Sequence, residues 1–425
     1  MVIRMGIGVP STTFFLAIIS TLILICTGVA FAEDWPEFRG PTGQGISSEE
    51  NVPTHWGPEE NVVWKVPVVG QGWSSPIYVQ GRVYLTGATR DGDDGDYSLN
   101  AMCYSADTGK QLWSTMVFHQ ASKDDAGIHG KNGHASPTPL ISQGRMYVHF
   151  GHQGTACLDL EGNVLWKNNE LTYNPVHGNG GSPVLAAGVL IFSCDGEKEP
   201  FIAALDAESG ELRWKVDREV DAPKKFSFCT PLVIEVEGRQ QVVSPGTNSV
   251  SAFDPIDGSE IWRVRYDGYS VVPRPVMGHG LLYLSTGFDK AQLLAIRVDG
   301  HGDVTDTHIA WRVKKGVPNT PSMLLIGDEL YMVSDRGVAS CLDASGGKTH
   351  WQHRIGGAYS SSLLYANGNI YLQSEDGAAT VIKAGKEFEE VAENDLAERT
   401  LASYAVGDGA FFIRTADHLY RISEK

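Results

Sequence analysis

The feature that most constrains this chain is a phrase that recurs about every 48 residues. In Ala204-Leu205-Asp206-Ala207-Glu208-Ser209-Gly210-Glu211-Leu212-Arg213-Trp214 an apolar strand end meets an Asp-containing turn closed by Gly, and a second strand then reaches Trp. The phrase returns at Ser105 to Trp113, Asp159 to Trp166, Asp254 to Trp262 and Asp343 to Trp351, with a divergent copy at Leu294 to Trp311 that carries an insertion. With Trp64 included, successive Trp residues lie 49, 53, 48, 48, 49 and 40 residues apart. A fixed period of this size marks a propeller, in which each repeat is one small sheet that buries its faces only against its neighbours. The parts of the phrase have local reasons. Asp accepts hydrogen bonds from turn amides, Gly takes the positive φ that closes a hairpin, and Trp offers a broad flat surface to the next sheet.

Two further short apolar strands precede each phrase, as at 181–185 and 189–193, so every unit supplies four antiparallel strands. After Trp351 a seventh unit runs from Ser361 through Val381-Ile382, with Phe388 in the Trp place. An eighth starts at Ala402-Ser403 and ends at Leu419-Tyr420-Arg421-Ile422 without its last strand, whereas Val62-Val63-Trp64-Lys65-Val66 is a last strand without a blade. Joining the two ends removes the open sheet edges. The expected fold is all-β, a single eight-bladed β-propeller of four-stranded blades whose ring the N-terminal strand closes; seven blades is the alternative if the seventh unit is a loop. The 48 glycines and ten tryptophans of the 425 residues are thereby reporters of architecture.

The first 32 residues read as a leader. Arg4 supplies a positive start, Thr13 to Cys26 is an apolar run, and Ala30-Phe31-Ala32 is an A-x-A cleavage site. Cys26 ends the apolar run, but Ile25 stands where a lipoprotein signal carries a small residue. The expected organisation is a signal peptide over 1–32, a lead-in over 33–60 and the propeller over 61–425, in a periplasmic or secreted protein. The net charge of −17, or −18 without Arg4, argues against nucleic acid and anionic membrane surfaces as general partners. A monomer is expected.

Five cysteines follow the leader, with no C-x-x-C and no adjacent pair, so neither a disulfide framework nor a zinc site is expected. Cys103, Cys157 and Cys341 occupy the register of Ala204, a small buried strand position. Cys194 and Cys229 lie off that register, and whether they pair is open.

The loops that lead into the innermost strands converge beside the axis, and there the non-repeat residues gather. Trp73, Lys131, His134, His177, Asn179, Lys225, Arg274, Asn319 and Tyr359 form the candidate axial site, with Lys224, Phe226, Phe228 and Tyr269 among the loop residues beside them. A basic, aromatic ring of this kind suits an anionic or polyhydroxylated ligand, with Arg274 as a bidentate clamp, Lys225 as a point charge and the rings as stacking faces. Each has a plainer reading. His134 and His177 can hydrogen-bond backbone in glycine-rich turns, and Arg274, between Pro273 and Pro275, can pair with a neighbouring acid. A metal on His134 and His177 lacks a third ligand, so no metal site is expected. The run Asp91 to Asp96 fails the EF-hand pattern and reads as a solvated hairpin tip. The insertion His301 to His308 is either a functional loop or the cover of a blade edge.

The phrase A-L-D-x-x-[ST]-G-x-x-x-W, with openings at Ser75-Pro76, Ser136-Pro137, Ser182-Pro183, Thr230-Pro231 and Thr320-Pro321, resembles the PQQ-binding-like β-propeller repeat family over nearly the whole chain after the leader. The segments Asp34 to Pro41 and Gly178 to Pro183 are also similar to exported propellers of planctomycete-type bacteria, a match that implies no particular activity. The family's quinoprotein alcohol dehydrogenases imply pyrroloquinoline quinone and calcium. Its scaffold lipoprotein of the outer-membrane β-barrel assembly machinery implies envelope protein partners and no cofactor. The dehydrogenases resemble one another in an adjacent Cys-Cys disulfide over the quinone, which this sequence does not have. Nor does it contain H-E-x-x-H, G-x-S-x-G or a Walker loop. The reading is a non-catalytic binding or scaffold module for an anionic or sugar-like ligand or for envelope proteins. A quinone-dependent dehydrogenase is the alternative, so enzyme status stays open.

Overall fold

The computed structural model describes residues 1–3, 6, 8, 33–92, 95–122 and 127–424. Eight sheets are formed by residues 62–422, and every one contains four antiparallel strands in the sense expected, consecutive in the chain except in blade 5, where an inserted strand precedes the fourth, and in the blade that closes the ring. In blade 8, strands Ala405–Gly407, Ala410–Arg414 and His418–Ile422 receive the N-terminal strand Val62–Pro67 as their outermost member, with Lys65 opposite Tyr420 and Val66 opposite Leu419. The seventh unit is a complete blade, so the count is eight.

The repeat phrase is the joint between blades. Asp206 Oδ1 accepts from the amides of Glu208 and Ser209 at 2.9 and 2.8 Å, holding the turn, and Gly210 closes it at φ +77°. The Trp of the preceding blade lies on that turn. A Cβ on Gly210 would stand 2.5 Å from the Trp166 ring, and Trp166 Nε1 donates to the Ala207 carbonyl at 3.2 Å. The same docking joins Trp64 to Gly109 and Ala106, Trp113 to Gly162 and Leu160, Trp214 to Gly258 and Pro255, and Trp311 to Gly347 and Ala344. Gly therefore serves twice, for its backbone conformation and for the indole it seats. In blades 1 to 6 the Trp faces a small residue across the strand pair, Cys103 opposite Trp113, Cys157 opposite Trp166 and Cys341 opposite Trp351, where blades 3 to 5 have Ala; in blade 8 Trp64 faces Arg421. All five described cysteines are free and buried, Cys194 and Cys229 included.

Two expectations need correction, and one open alternative is decided. The Trp position of blade 7 belongs to Ala392, opposite Val381; Phe388 lies before that strand, stacked on His353 with ring centroids 3.9 Å apart. The openings in blades 2 and 6 are two residues later than Ser136-Pro137 and Thr320-Pro321, because strands Leu140–Ser142 and Leu324–Ile326 begin after Thr138-Pro139 and Ser322-Met323. The insertion after blade 5's third strand is a blade cover: Gly302 and Asp303 pair in parallel with Trp262 and Arg263 on the outer edge of blade 4.

In corrected register, one residue per blade forms a belt around the axis, two positions before each innermost strand. Ser75 N donates to Thr138 Oγ1, Thr138 N to Ser182 Oγ and Ser182 N to Thr230 Oγ1, at 3.0, 2.9 and 2.9 Å. Arg274 N donates to Ser322 Oγ, Ser322 N to Ser362 Oγ, Ser362 N to Ser403 Oγ and Ser403 N to Ser75 Oγ, at 3.0, 3.3, 2.9 and 3.0 Å. Each blade's amide is thus satisfied by the next blade's hydroxyl. The series changes only at Arg274, which has no acceptor to offer Thr230; its Nε donates instead to the Pro231 carbonyl at 3.0 Å.

The lead-in crosses the end of the channel. It docks three residues beyond the belt in four blades: Trp35 bridges Tyr78, the Pro36 carbonyl accepts from Ile141 N, Gln44 Oε1 accepts from Met277 N, and Ile46 bridges Tyr365. Trp35 is buried there, and Trp56 is buried between blades 7 and 8, among Tyr371, Tyr404 and Phe411, with its amide donating to Asn394 Oδ1. Among the described residues no helix is long and apolar enough to cross a membrane. The leader expected over 1–32 falls largely outside the described residues, as do Asp93 and Asp94 of the acidic tip.

Candidate functional site

The loops entering the innermost strands enclose an axial cavity of about 460 Å³. Phe38 of the lead-in lines it, as do seven belt residues, Ser75, Thr138, Ser182, Thr230, Ser322, Ser362 and Ser403. Seven belt residues with hydroxyls and one phenyl ring thus share its lining.

The wall is divided by chemistry. From blade 2 to blade 5 it is aromatic: His129 and His177 are 5.4 Å apart, His177 and Phe226 5.4 Å, Phe226 and Tyr269 5.7 Å, and Tyr269 and Phe288 5.7 Å between ring centroids. Most of these contacts are edge-to-face, the geometry that the aromatic quadrupole favours, so the arc is braced by its own members. Phe288 remains 51% exposed. Burial, then His129 and the Lys224 ammonium, push His177 below the usual imidazole range, so the arc carries a neutral imidazole at pH 7. The opposite wall is polar. Lys131 Nζ is 2.6 Å from Glu375 Oε1, Glu375 also accepts from Ser360, and Asp335 accepts from the Asn319 amide and the Thr320 hydroxyl at 2.6 and 2.8 Å.

Of the nine candidates, Trp73, Lys131, His177 and Asn319 line this cavity, and five do not. His134 is buried, stacked on Tyr97 at 3.9 Å and hydrogen-bonded to Gln120, because blade 1's ten-residue strands extend far enough to cover it. Asn179 packs between blades 2 and 3, accepting from Tyr173 at 2.6 Å, and a Cβ on Gly151 would overlap it. Lys224, not Lys225, takes the cavity wall, with Nζ 2.7 Å from the Tyr269 hydroxyl and 4.4 Å from its ring centroid. Tyr359 is buried beside a separate cleft that contains Ser374 and Asp376.

Arg274 is the main correction. It is 2% exposed, and its Nη1 lies 3.1 Å from Glu37 Oε1 and 2.6 Å from the Phe38 carbonyl. A Cβ on Gly43 would stand 2.3 Å from that nitrogen. The guanidinium is therefore an anchor for the lead-in, and no clamp for an axial ligand. The axis is correspondingly less basic than the sequence implies, since Lys131 and Arg274 both meet carboxylates.

Sequence reasoning missed Phe288, His129, Asp335 and the hydroxyl belt. The belt had a readable signal, a Ser or Thr two residues before every innermost strand except that of blade 5, but the doubled Ser136-Pro137-Thr138-Pro139 set the register of blade 2 two residues early.

The family model described as outer membrane protein assembly factor BamB matches residues 58–216, 198–328 and 248–416, nearly the whole ring. This chain belongs to that family, a family of PQQ-like β-propellers. Over 161 residues it is 27% identical to methanol dehydrogenase [cytochrome c] subunit 1 of Methylorubrum extorquens, covering 32% of this chain and 24% of that protein. The same protein of Methylobacterium organophilum gives the same figures. The match thus spans about a quarter of the length of the curated relatives. Among solved structures, BamB from Moraxella catarrhalis superposes with a TM-score of 0.51 at 16% identity, over 75% of this chain and 98% of that one. A europium-containing methanol dehydrogenase reaches 0.64 at 12% identity, over 91% and 90%. Identities this low establish the fold alone.

The dehydrogenase branch raises the question of a quinone with a metal. Among the described residues no group of three or more His, Cys, Asp and Glu side chains is placed to hold a metal ion. Asp335 and Glu375, the carboxylates beside the cavity, are engaged by Asn319, Thr320, Lys131 and Ser360. Of the cations on the wall, Lys131 is paired with Glu375, which leaves Lys224, held by the Tyr269 hydroxyl, to meet three carboxylates; with no metal-ligand group beside it, the residues present do not fit that pair.

Proposed function

We propose that this protein is an exported, periplasmic binding module of the BamB-like propellers whose axial cavity takes a polyhydroxylated, sugar-like ligand. The observation that carries the reading is the juxtaposition, in one cavity of about 460 Å³, of an aromatic arc and a belt of seven hydroxyls. Aromatic faces pack on the C–H surface of a sugar ring, and hydroxyls that both donate and accept match its edges. With Lys131 paired to Glu375 and Arg274 to Glu37, Lys224 is left as the cation of the wall, which favours this over a strongly anionic ligand. Isothermal titration against a panel of neutral and acidic oligosaccharides tests it. At least one neutral member should bind, and Phe226→Ala with Tyr269→Ala should weaken that binding at least tenfold while leaving the fold intact. Absence of binding by every panel member at millimolar concentration would refute the reading.

A second reading, a scaffold for envelope proteins, draws on the family match and on the exposed Val63, Leu112 and Leu165, each preceding a repeat Trp on the outer strands of blades 8, 1 and 2. It predicts co-purifying envelope proteins that survive the axial substitutions and are lost when these three are changed to Ser.

A further inference from the structure

We propose that a small monovalent anion of chloride size binds beside Arg39, where the lead-in meets blades 5 and 6. Arg39 is 2% exposed, and its Nη2 donates to the Gln44 carbonyl at 2.8 Å and to the Met323 carbonyl of blade 6. Its Nε and Nη1 are buried and have no hydrogen-bond partner within the protein. A guanidinium with two unmet N–H groups out of water is a costly arrangement, and the groups left over are donors only, which selects an acceptor.

The charge balance points the same way. Arg274, the neighbouring guanidinium, is equally buried, and Glu37 supplies one carboxylate for the two, spending it on Arg274 at 3.1 Å. One desolvated positive charge is left over. Burial, and then the charge of Arg274, hold Arg39 down at about 9, the mark of a cation placed where a second negative charge would relieve it. The backbone is shaped around both groups. A Cβ on Gly43 would meet Arg274 Nη1 at 2.3 Å and one on Gly45 would meet Arg39 Nη2 at 2.8 Å, and both glycines have positive φ. A halide needs only an N–H donor and a positive field, and either the Nε–H or the Nη1 edge of this guanidinium, which face apart, offers them. The anion would fix the lead-in beneath the axial cavity, a role independent of whatever ligand that cavity binds.

Thermal unfolding of the full chain in sodium chloride against sodium gluconate at constant ionic strength tests the proposal, together with anomalous diffraction from crystals soaked in bromide. A Tm that rises and saturates with chloride alone is expected, with a bromide peak within hydrogen-bonding distance of Arg39 Nε or Nη1. Arg39→Gln should abolish both. Glu37→Gln, which deletes the competing carboxylate, should lower the chloride midpoint severalfold. Equal Tm in the two salts, an Arg39 guanidinium without a bromide peak, or a chloride midpoint that rises in Glu37→Gln would each overturn it. If Arg39→Gln fails to fold, bromide in the unaltered protein and the Glu37→Gln midpoint still decide.

Discussion

Lys65 Nζ lies 2.5 Å from Oε1 of Glu398, which ties the N-terminal strand of blade 8 to the loop that enters that blade. Tyr420, Thr415 and His418 hydrogen-bond to the same carboxylate at 2.8, 2.7 and 2.9 Å, so one side chain gathers the chain's first strand and its last.

Acid should open this seam first. Burial pulls the Glu398 carboxyl up, but the hydrogen bonds from Lys65, Thr415, His418 and Tyr420 outweigh it and hold the group at about 2, below its usual 4.5. Its contribution is fully present above pH 4.5 and is lost as pH falls toward 2. Allowing for solvent screening it amounts to about 1–2 kcal/mol. Urea midpoints measured from pH 7 to pH 2.5 should fall less steeply for Glu398→Gln than for the unaltered protein; parallel curves would contradict the assignment.

The blade joint should behave as a coupled pair. Trp166→Ala is expected to cost about 2–3 kcal/mol for a half-buried indole, and Gly210→Ala about 1–2 kcal/mol from its positive φ, besides any clash with the ring. With the indole gone the added methyl has room. The double variant should therefore lose less than the sum in a chemical-denaturation cycle.

Replacing Arg274 with the residue its register calls for should destabilise. Arg274→Ser completes the hydroxyl belt yet strands Glu37, whose carboxyl burial already pushes up. The expected loss is about 3–5 kcal/mol near pH 8. A carboxyl with a raised folded value favours the fold when protonated, so the loss should shrink as pH falls toward 4.5. Adding Glu37→Gln should recover much of it at pH 8, and a loss that does not change with pH would count against the pairing.

The thiols should be silent. Burial pushes Cys103 and Cys341 up to about 12 and Cys157 to about 11. Ellman's reagent at pH 8 should label them only at the rate of unfolding. Fast stoichiometric labelling of the native protein would show that the Trp-facing positions are open.

Much of the architecture was legible because the repeat states it directly. The strand of Trp64, without a blade, and the strand of Ile422, without an outer partner, had to meet, and they do so in blade 8. Phe388 misled because size was matched where register mattered; Ala392 stands at the joint, with no indole at all. The site was less legible. Arg274 drew attention as a cation between two prolines, but whether it faced a ligand depended on Glu37, 237 residues earlier. Loop order located Trp73, Lys131, His177 and Asn319, whereas His134 was removed from the axis by the length of blade 1's strands, which no spacing in its own loop reveals.

The lead-in has a consequence for the order in which the protein is finished. Residues 35–46 are the first part of the ring assembly to be synthesised, yet they bind Met277, Met323 and Tyr365 in blades 5 to 7, and the strand that follows waits for the C-terminus. Contacts of such sequence separation make folding slow. The nascent chain can stack its middle blades as they emerge, but it cannot complete its axis or its seam until the last residues arrive. Early termination anywhere in the final blades would leave the beginning of the chain, as well as its end, without a place to go.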